Sequence, residues 1–506
     1  MNKNYLRKTK IVATLGPSIT QKLWSWDMYN DPKNKEKVEK AHELVESALN
    51  AGINVIRLNF SHGDAQEHAI RVKLFKETAA KLNKPISVLL DTKGPEIRVW
   101  DCPDDGVEFK KGDVVKIYCL DKKLGSKEGI SVTDSTGKYD MSKDLKIGSL
   151  ILIGDGKWQL KVTDIDRKSS VVLATAMNNY KVSTKKRINL PGANYSMEFI
   201  SEKDRNDIIL CAKEKYDYIA ISFTNSKKNV LDVRKILNAN GGENVKIIAK
   251  IESAMGIKNL ESIVEAADGI MVARGDLSLE IPFIEVPYYQ AKMVDLCRAA
   301  NKPCIVATQM LDSMEANLIP TRAEVTDVFY ATKLSADATM LSGETANGLF
   351  PIEAINTMSV IDKEGEYIHC NCKENLKFNE LAKENGYDAK QVKLANDLFK
   401  NTKPENCATP EAKYPYEIIA LYDNDNALLK TLSNARLPVA VVFVTDDVTQ
   451  YNSYGVYFGV HPFLVKNLNE AKKNYESVNK DIVKAYASGN KKVLTVVNNK
   501  IVSGNK

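Results

Sequence analysis

The chain has 506 residues, 44% of them hydrophobic and 27% charged, with a net charge of +6. It is too long for one ordinary domain, and its composition is typical of globular proteins. No run is long enough to span a membrane, no apolar segment follows the charged start, and no basic block is interleaved with aromatic residues. The eight cysteines lack zinc-ligand spacing, which favours free thiols. We expect a cytoplasmic protein without a membrane or nucleic-acid partner.

Short apolar runs alternate with amphipathic helical stretches in two separated blocks. Helical patterns such as 40–50 and 260–267 lie between the runs. The predicted strands are residues 10–15, 55–60 and 86–91 in the first block, and 218–223, 245–251, 269–273, 303–308 and 338–342 in the second. Eight strands in βα alternation predict an α/β fold built on a (β/α)₈ TIM barrel.

Two further segments depart from this alternation. The stretch between the blocks is rich in β-branched residues, Gly and Asp, which predicts a small all-β domain inserted above the barrel mouth as a lid. The last segment begins with a polar helical stretch and continues with apolar runs at 416–421, 437–444 and 492–497, which predicts an α/β domain. The expected division is 1–94 (barrel, with a lengthened connection at 21–39), 95–190 (lid), 191–361 (barrel) and 362–506 (a divergent regulatory or oligomerisation domain).

Polar residues follow the predicted strands where these strands end. Lys250 and Glu252 are two apart and face the same side, and Asp276 follows the next strand. Two carboxylates and a lysine at neighbouring strand ends indicate a divalent metal, Mg²⁺ or Mn²⁺, beside an anionic substrate. Arg57 and Arg98 can contact phosphates.

Other strand ends carry smaller polar groups. Backbone N–H groups near Gly275 can bind a carboxylate at a helix start. A monovalent-cation site and a plain hydrogen-bond network are both open readings of four small oxygen donors: Asn59, Ser61, Asp91 and Thr92.

Nine motifs in order then connect the chain to a known family. They are KIVATLGP (10–17), NVIRLNFSHG (54–63), LDTKGPEIR (90–98), NLPG (189–192), KIE (250–252), GIMVARGDL (269–277), ATQML (307–311), PTRAE (320–324) and MLSGETA (340–346). Through nearly all of residues 7–361 the chain closely resembles the pyruvate kinase family. The resemblance implies the last step of glycolysis: phosphoryl transfer from phosphoenolpyruvate to ADP, giving ATP and pyruvate.

The resemblance also implies roles for individual residues. Glu252 and Asp276 would hold Mg²⁺, while Asn59, Ser61, Asp91 and Thr92 would hold K⁺. The catalytic set would be Lys250, Thr308, Ser342 and Arg57. The substrate would contact Lys250, Gly275, Asp276, Thr308, Arg57, Ser222 and Phe223. The nucleotide would contact Arg57, Asn59, His62, Arg98 and Lys186. The family is usually tetrameric, so a homotetramer is expected.

Two positions refine the expectation, and two alternatives stay open. Glu96 stands where K⁺-dependent members carry Glu, so we expect K⁺ dependence. Residues 422–426 (YDNDN) replace the family's hydroxyl-rich effector loop, and their two aspartates repel phosphate, so we expect no activation by fructose 1,6-bisphosphate. The alternatives are a Mg²⁺-dependent lyase or mutase acting on phosphoenolpyruvate or pyruvate, and a non-catalytic relict binding protein.

Overall fold

The first block of the chain forms three parallel strands. A computed structural model describes residues 6–366, 372–404, 414–486 and 492–504. The strands are β1 (Lys10–Thr14), β2 (Val55–Asn59) and β3 (Ser87–Asp91); the helices are α1 (Pro17–Thr20), α2 (Trp26–Asn30), α3 (Lys35–Ala51) and α4 (Ala65–Lys81), with a 3₁₀ turn at Pro32–Asn34. The lengthened connection at 21–39 therefore contains α2, whose first turn is capped by the Ser25 side chain.

The inserted segment folds as strands only, apart from a 3₁₀ turn at Met141–Lys143. Its strands are β4 (Ile97–Val99), β5 (Val107–Phe109), β6 (Val114–Tyr118), β7 (Gly129–Thr133), β8 (Leu150–Ile153), β9 (Trp158–Asp166), β10 (Val171–Ala176), β11 (Tyr180–Val182) and β12 (Arg187–Asn189). Seven of them close a small barrel in the order β10-β6-β7-β4-β12-β8-β9, and β5 pairs with β11. Its core is organised around Trp158, which stacks on Phe109 and Tyr180.

The chain then returns to complete the first barrel. The strands are β13 (Tyr218–Ile221), β14 (Lys246–Ile251), β15 (Gly269–Ala273), β16 (Cys304–Ala307) and β17 (Ala338–Leu341). The helices are α5 (Glu202–Lys213), α6 (Lys227–Asn238), α7 (Ala254–Lys258), α8 (Leu260–Ala266), α9 (Arg274–Glu280), α10 (Val286–Ala299), α11 (Arg322–Lys333), α12 (Gly343–Ala346) and α13 (Pro351–Gly365), with 3₁₀ turns at Phe283–Glu285 and Asp312–Glu315. Eight strands close in the order β1-β17-β16-β15-β14-β13-β3-β2. The predicted TIM barrel is confirmed.

The barrel interior separates into an apolar layer and a polar layer. Alternate residues of a strand face the same side, so β14 directs Lys246, Ile248 and Lys250 inward. The apolar layer is fully buried and comprises Val12, Val55, Leu89, Tyr218, Ile248, Met271, Ile305 and Met340. Two residues further along their strands stand the polar side chains of Thr14, Arg57, Asp91, Ser222, Lys250 and Ser342. The barrel is therefore a packed core with polar groups only at its mouth.

The last part of the chain is a five-stranded sheet with helices. Its elements are α14 (Cys372–Glu384), α15 (Ala389–Thr402), β18 (Ile418–Leu421), α16 (Asn426–Asn434), β19 (Ala440–Thr445), α17 (Val448–Asn452), β20 (Val460–Leu464), α18 (Leu468–Lys473), α19 (Tyr475–Tyr486), β21 (Val493–Val497) and β22 (Lys500–Gly504). The order is β20-β19-β18-β21-β22. Two strands escape the sequence reading: β20 contains Pro462, which an edge position tolerates, and β22 follows a tight turn at Asn498-Asn499 with φ of 51° and 58°.

The predicted fold class is confirmed, while the four-part division of the chain stays a prediction. Five cysteines, at 102, 119, 211, 297 and 304, are buried free thiols. Cys370 and Cys407 lie outside the described residues. Of the helices described, none is both long and apolar enough to cross a bilayer.

Candidate active site

Lys250 is the centre of a buried charge cluster at the barrel mouth. Its Nζ lies 3.0 Å from Asp91 Oδ1, 2.9 Å from Glu252 Oε1 and 2.7 Å from the Ser222 hydroxyl. The lysine is 8% exposed, Glu252 is 1% exposed and Asp91 is fully buried. Burial by itself would lower the pKa of Lys250, but the two carboxylates outweigh it and raise this pKa. The ammonium is therefore held charged at the end of β14.

Asp91 is shared between two cationic side chains. Arg57 Nε donates to Asp91 Oδ2 at 2.7 Å, and Arg57 also donates to the Thr14 hydroxyl at 2.8 Å. Burial would raise the pKa of Asp91, but Lys250 and Arg57 reverse the effect and lower it. This carboxylate is thus a permanent anion that positions both cations.

Glu252 and Asp276 are the pair of carboxylates predicted to hold a metal. They follow the paired strands β14 and β15, and Asp276 stands in the first turn of α9. Glu252 Oε2 accepts a hydrogen bond from the Phe223 N–H at 2.6 Å. Burial raises the pKa of Glu252, Lys250 counteracts this, and the Asp276 charge raises it further. A nearby cation would relieve this repulsion, and Mg²⁺ prefers such oxygen ligands.

The donor set is small. Within the described parts of the chain, no group of three or more His, Cys, Asp or Glu side chains is placed to hold a metal ion. Two carboxylates fit Mg²⁺, which is commonly bound by one or two protein carboxylates together with waters and substrate oxygens.

A strained turn places Thr308 beside the start of α9. Thr308 and Gln309 have φ of 66° and 52°, a conformation that non-glycine residues rarely adopt. Arg274 holds the turn by donating to the Ala307 and Thr308 carbonyls at 3.2 and 2.6 Å. The Thr308 hydroxyl accepts from the Gly275 N–H at 2.8 Å. The geometry brings these two predicted substrate contacts together.

Ser342 presents a buried hydroxyl at the end of β17. Its Oγ has no hydrogen-bond partner among the described residues, whereas its backbone N–H donates to Glu344 at 2.7 Å. A buried hydroxyl without a partner is costly, so a water or a substrate group is its natural complement.

The predicted nucleotide and K⁺ residues are placed unevenly. Asn59 Oδ1 accepts from the Ser61 N–H at 3.2 Å, and Thr92 Oγ1 accepts from the Ser222 N–H at 3.2 Å. The four K⁺ candidates thus already take part in hydrogen bonds or ion pairs, as in the network reading. His62 is close enough to Arg98 for this charge, after burial, to lower the pKa of the histidine.

Sequence reasoning missed Arg187, which neighbours the predicted Lys186. Lys186 is exposed, whereas Arg187 donates to Asp276 and, at 2.6 Å, to Glu96 Oε1. Arg98 donates to the other Glu96 oxygen at 2.7 Å. Three consecutive basic residues at 185–187 gave no basis for a choice; only the pairing of β12 with β4, which sets Arg187 opposite Arg98, makes it.

A closed parallel barrel with charged side chains gathered at the carboxyl ends of its strands has the architecture of a TIM-barrel enzyme. Residues 6–355 match the family model described as the pyruvate kinase barrel domain. The pyruvate kinase of Mycoplasma pneumoniae is 42% identical over 99% of both chains, and that of Mycoplasma genitalium is 41% identical over 93% of this chain and 92% of its own. A crystal structure of a pyruvate kinase from Cryptosporidium parvum is 30% identical, with a TM-score of 0.81 over 97% of this chain and 94% of its own. The chain belongs to the pyruvate kinase family.

Proposed function

We propose that the barrel mouth transfers the phosphoryl group of phosphoenolpyruvate to ADP and then protonates the enolate to pyruvate. The observation that carries the proposal is the buried Lys250 ammonium, held within 3.0 Å of two carboxylates and facing the mouth. A fixed positive charge in a site that excludes water stabilises negative charge that develops during reaction.

Each step has a residue suited to it. As the P–O bond of phosphoenolpyruvate breaks and a P–O bond to ADP forms, Lys250 would neutralise charge on the moving phosphoryl group and on the enolate oxygen. The Gly275 N–H and the Thr308 hydroxyl would bind the substrate carboxylate, and Arg57, Ser222 and Phe223 would line its site. Arg57, Asn59, His62, Arg98 and Lys186 would contact the nucleotide. A solvent proton would reach C3 along the hydroxyls of Thr308 and Ser342.

Two cations belong to the proposal. Glu252 and Asp276 would hold Mg²⁺ or Mn²⁺, which when bound supplies positive charge to the substrate oxygens. K⁺ would be held by Asn59, Ser61, Asp91 and Thr92. Support for the first is the repulsion between the two carboxylates; the second rests on the resemblance, since both Asp91 oxygens already bind cationic side chains.

The assembly and location complete the proposal. The lid at 95–190 would close over the mouth, the segment 362–506 would support a homotetramer, and the protein would act in the cytoplasm. Size-exclusion chromatography with light scattering tests the tetramer, and a monomeric mass would contradict it.

The decisive experiment follows pyruvate formation with phosphoenolpyruvate, ADP, Mg²⁺ and K⁺, coupled to NADH oxidation by lactate dehydrogenase. Equal amounts of ATP and pyruvate are expected. A phosphoenolpyruvate-derived product formed without ADP would favour the lyase or mutase instead. Binding of substrates without any turnover would favour the relict binding protein.

A further inference from the structure

Arg187 connects the inserted β-barrel to the mouth of the large barrel. It stands at the start of β12, and its guanidinium divides between two carboxylates. One nitrogen donates to Glu96, beside β4, and another donates to Asp276, in the first turn of α9. Glu96 is 3% exposed and the side chain of Arg187 is 27% exposed. The contact is therefore a partly buried bridge from the lid to the carboxylate pair at the mouth.

The electrostatics hold Arg187 in place. Burial alone would lower its pKa, but Asp276, Glu96 and Glu252 together raise this pKa. Two of these three carboxylates, Asp276 and Glu252, are the proposed divalent-cation ligands. A cation and Arg187 thus make opposing demands: both need the Asp276 oxygens, and their like charges repel at this distance.

The surroundings leave Arg187 somewhere to go. A cavity of about 250 Å³ lies between the return strand of the lid and the loops that follow β13 and β14, and Arg187 is part of its wall. Other parts of the wall are apolar or amide side chains, including Phe223, Met255 and Asn229. The guanidinium can leave Asp276 and keep its bond to Glu96, which Arg98 also holds.

We propose that Arg187 is a positioning residue that competes with the divalent cation for Asp276 and so couples cation binding to release of the lid. The inference rests on the proposed function, because it takes Glu252 and Asp276 as the cation ligands. Its consequence is that the protein binds the divalent cation more weakly with Arg187 than without it.

The test measures Mn²⁺ binding to the whole chain, without substrates, from the electron paramagnetic resonance signal of free Mn²⁺. Arg187→Gln should tighten binding about fivefold, roughly 1 kcal/mol, the size of a partly exposed ion pair. Arg187→Lys should give an intermediate affinity, because one ammonium cannot serve both carboxylates as a forked guanidinium does. Circular dichroism checks that both variants fold; if Gln does not, the Lys variant decides.

Arg98→Gln is the matched control, since it also removes a guanidinium from Glu96 but does not touch Asp276. It should change Mn²⁺ affinity much less than Arg187→Gln. Unchanged or weaker binding in Arg187→Gln, or an equal gain in both variants, would overturn the inference. The proposed function fails separately, if the unchanged protein binds Mn²⁺ but makes no pyruvate from phosphoenolpyruvate and ADP.

Discussion

Replacing Lys250 by Met tests the centre of the proposed mechanism, because it removes the charge and keeps an apolar stem of similar length. The change deletes ion pairs at 3.0 and 2.9 Å and a hydrogen bond to Ser222 at 2.7 Å. Loss of a single uncharged donor to a developing anion costs about 10²–10³ in turnover, so loss of a buried full charge should cost about 10³-fold or more.

The same change has a calculable effect on stability. Breaking a buried ion pair costs about 3–5 kcal/mol. Here Asp91 keeps Arg57 at 2.7 Å and Glu252 keeps the Phe223 N–H at 2.6 Å, so we expect the lower end, about 3 kcal/mol. Burial already raises the pKa of Glu252, and loss of Lys250 raises it further. A folded pKa above the unfolded one means that stability falls as pH rises between the two, so the loss should be smaller at pH 6 than at pH 8.

Lys246→Met is the matched control. Lys246 lies on the same strand and the same inward face, at the opposite end of the barrel, where it donates to the Ser453 carbonyl at 3.0 Å. Burial lowers its pKa to about 8. Turnover of pyruvate in the coupled assay should stay close to that of the unchanged protein in Lys246→Met and collapse in Lys250→Met. Near-normal turnover in Lys250→Met, with urea unfolding confirming a folded protein, would remove Lys250 from the mechanism.

Three further outcomes are expected. Burial raises the pKa of Asp362 to about 7, so the free energy of unfolding should fall as pH rises from about 4 to about 7, and Asp362→Asn should remove roughly 1.4 kcal/mol of this fall per pKa unit; identical pH slopes in urea unfolding would contradict it. Replacing K⁺ by a large organic cation should strongly reduce turnover, and unchanged rates would refute the K⁺ proposal. Fructose 1,6-bisphosphate should leave the affinity for phosphoenolpyruvate unchanged, because Asp423 accepts from the Asn499 N–H and Asp425 caps α16, so neither loop carboxylate yields to phosphate; a saturable shift would show that the loop binds it.

Much of the barrel follows from local patterns. Gly269–Ala273 is both the predicted and the observed strand β15, and the other barrel strands differ from their predictions by at most two residues at an end. Such agreement is expected for buried parallel strands, which are continuous apolar runs bounded by polar strand ends. The meeting of Lys250 with Glu252 also follows from the two-residue period of a strand.

The tertiary structure decided which distant groups share a partner. The chain alone shows Asp91 as a small oxygen donor; closure of the barrel places it between Arg57 and Lys250, and its charge then serves to position both cations. Arg187 could not be chosen over Lys186 from a basic run, because the choice depends on the pairing of β12 with β4 and on the approach of the lid to α9. The sequence by itself determined the barrel, the family and the principal charged residues, since these depend on local periodicity and motifs. The contacts of Asp91, Arg187 and Asp276 depend on distances between segments far apart in the chain, and only the folded structure supplies those.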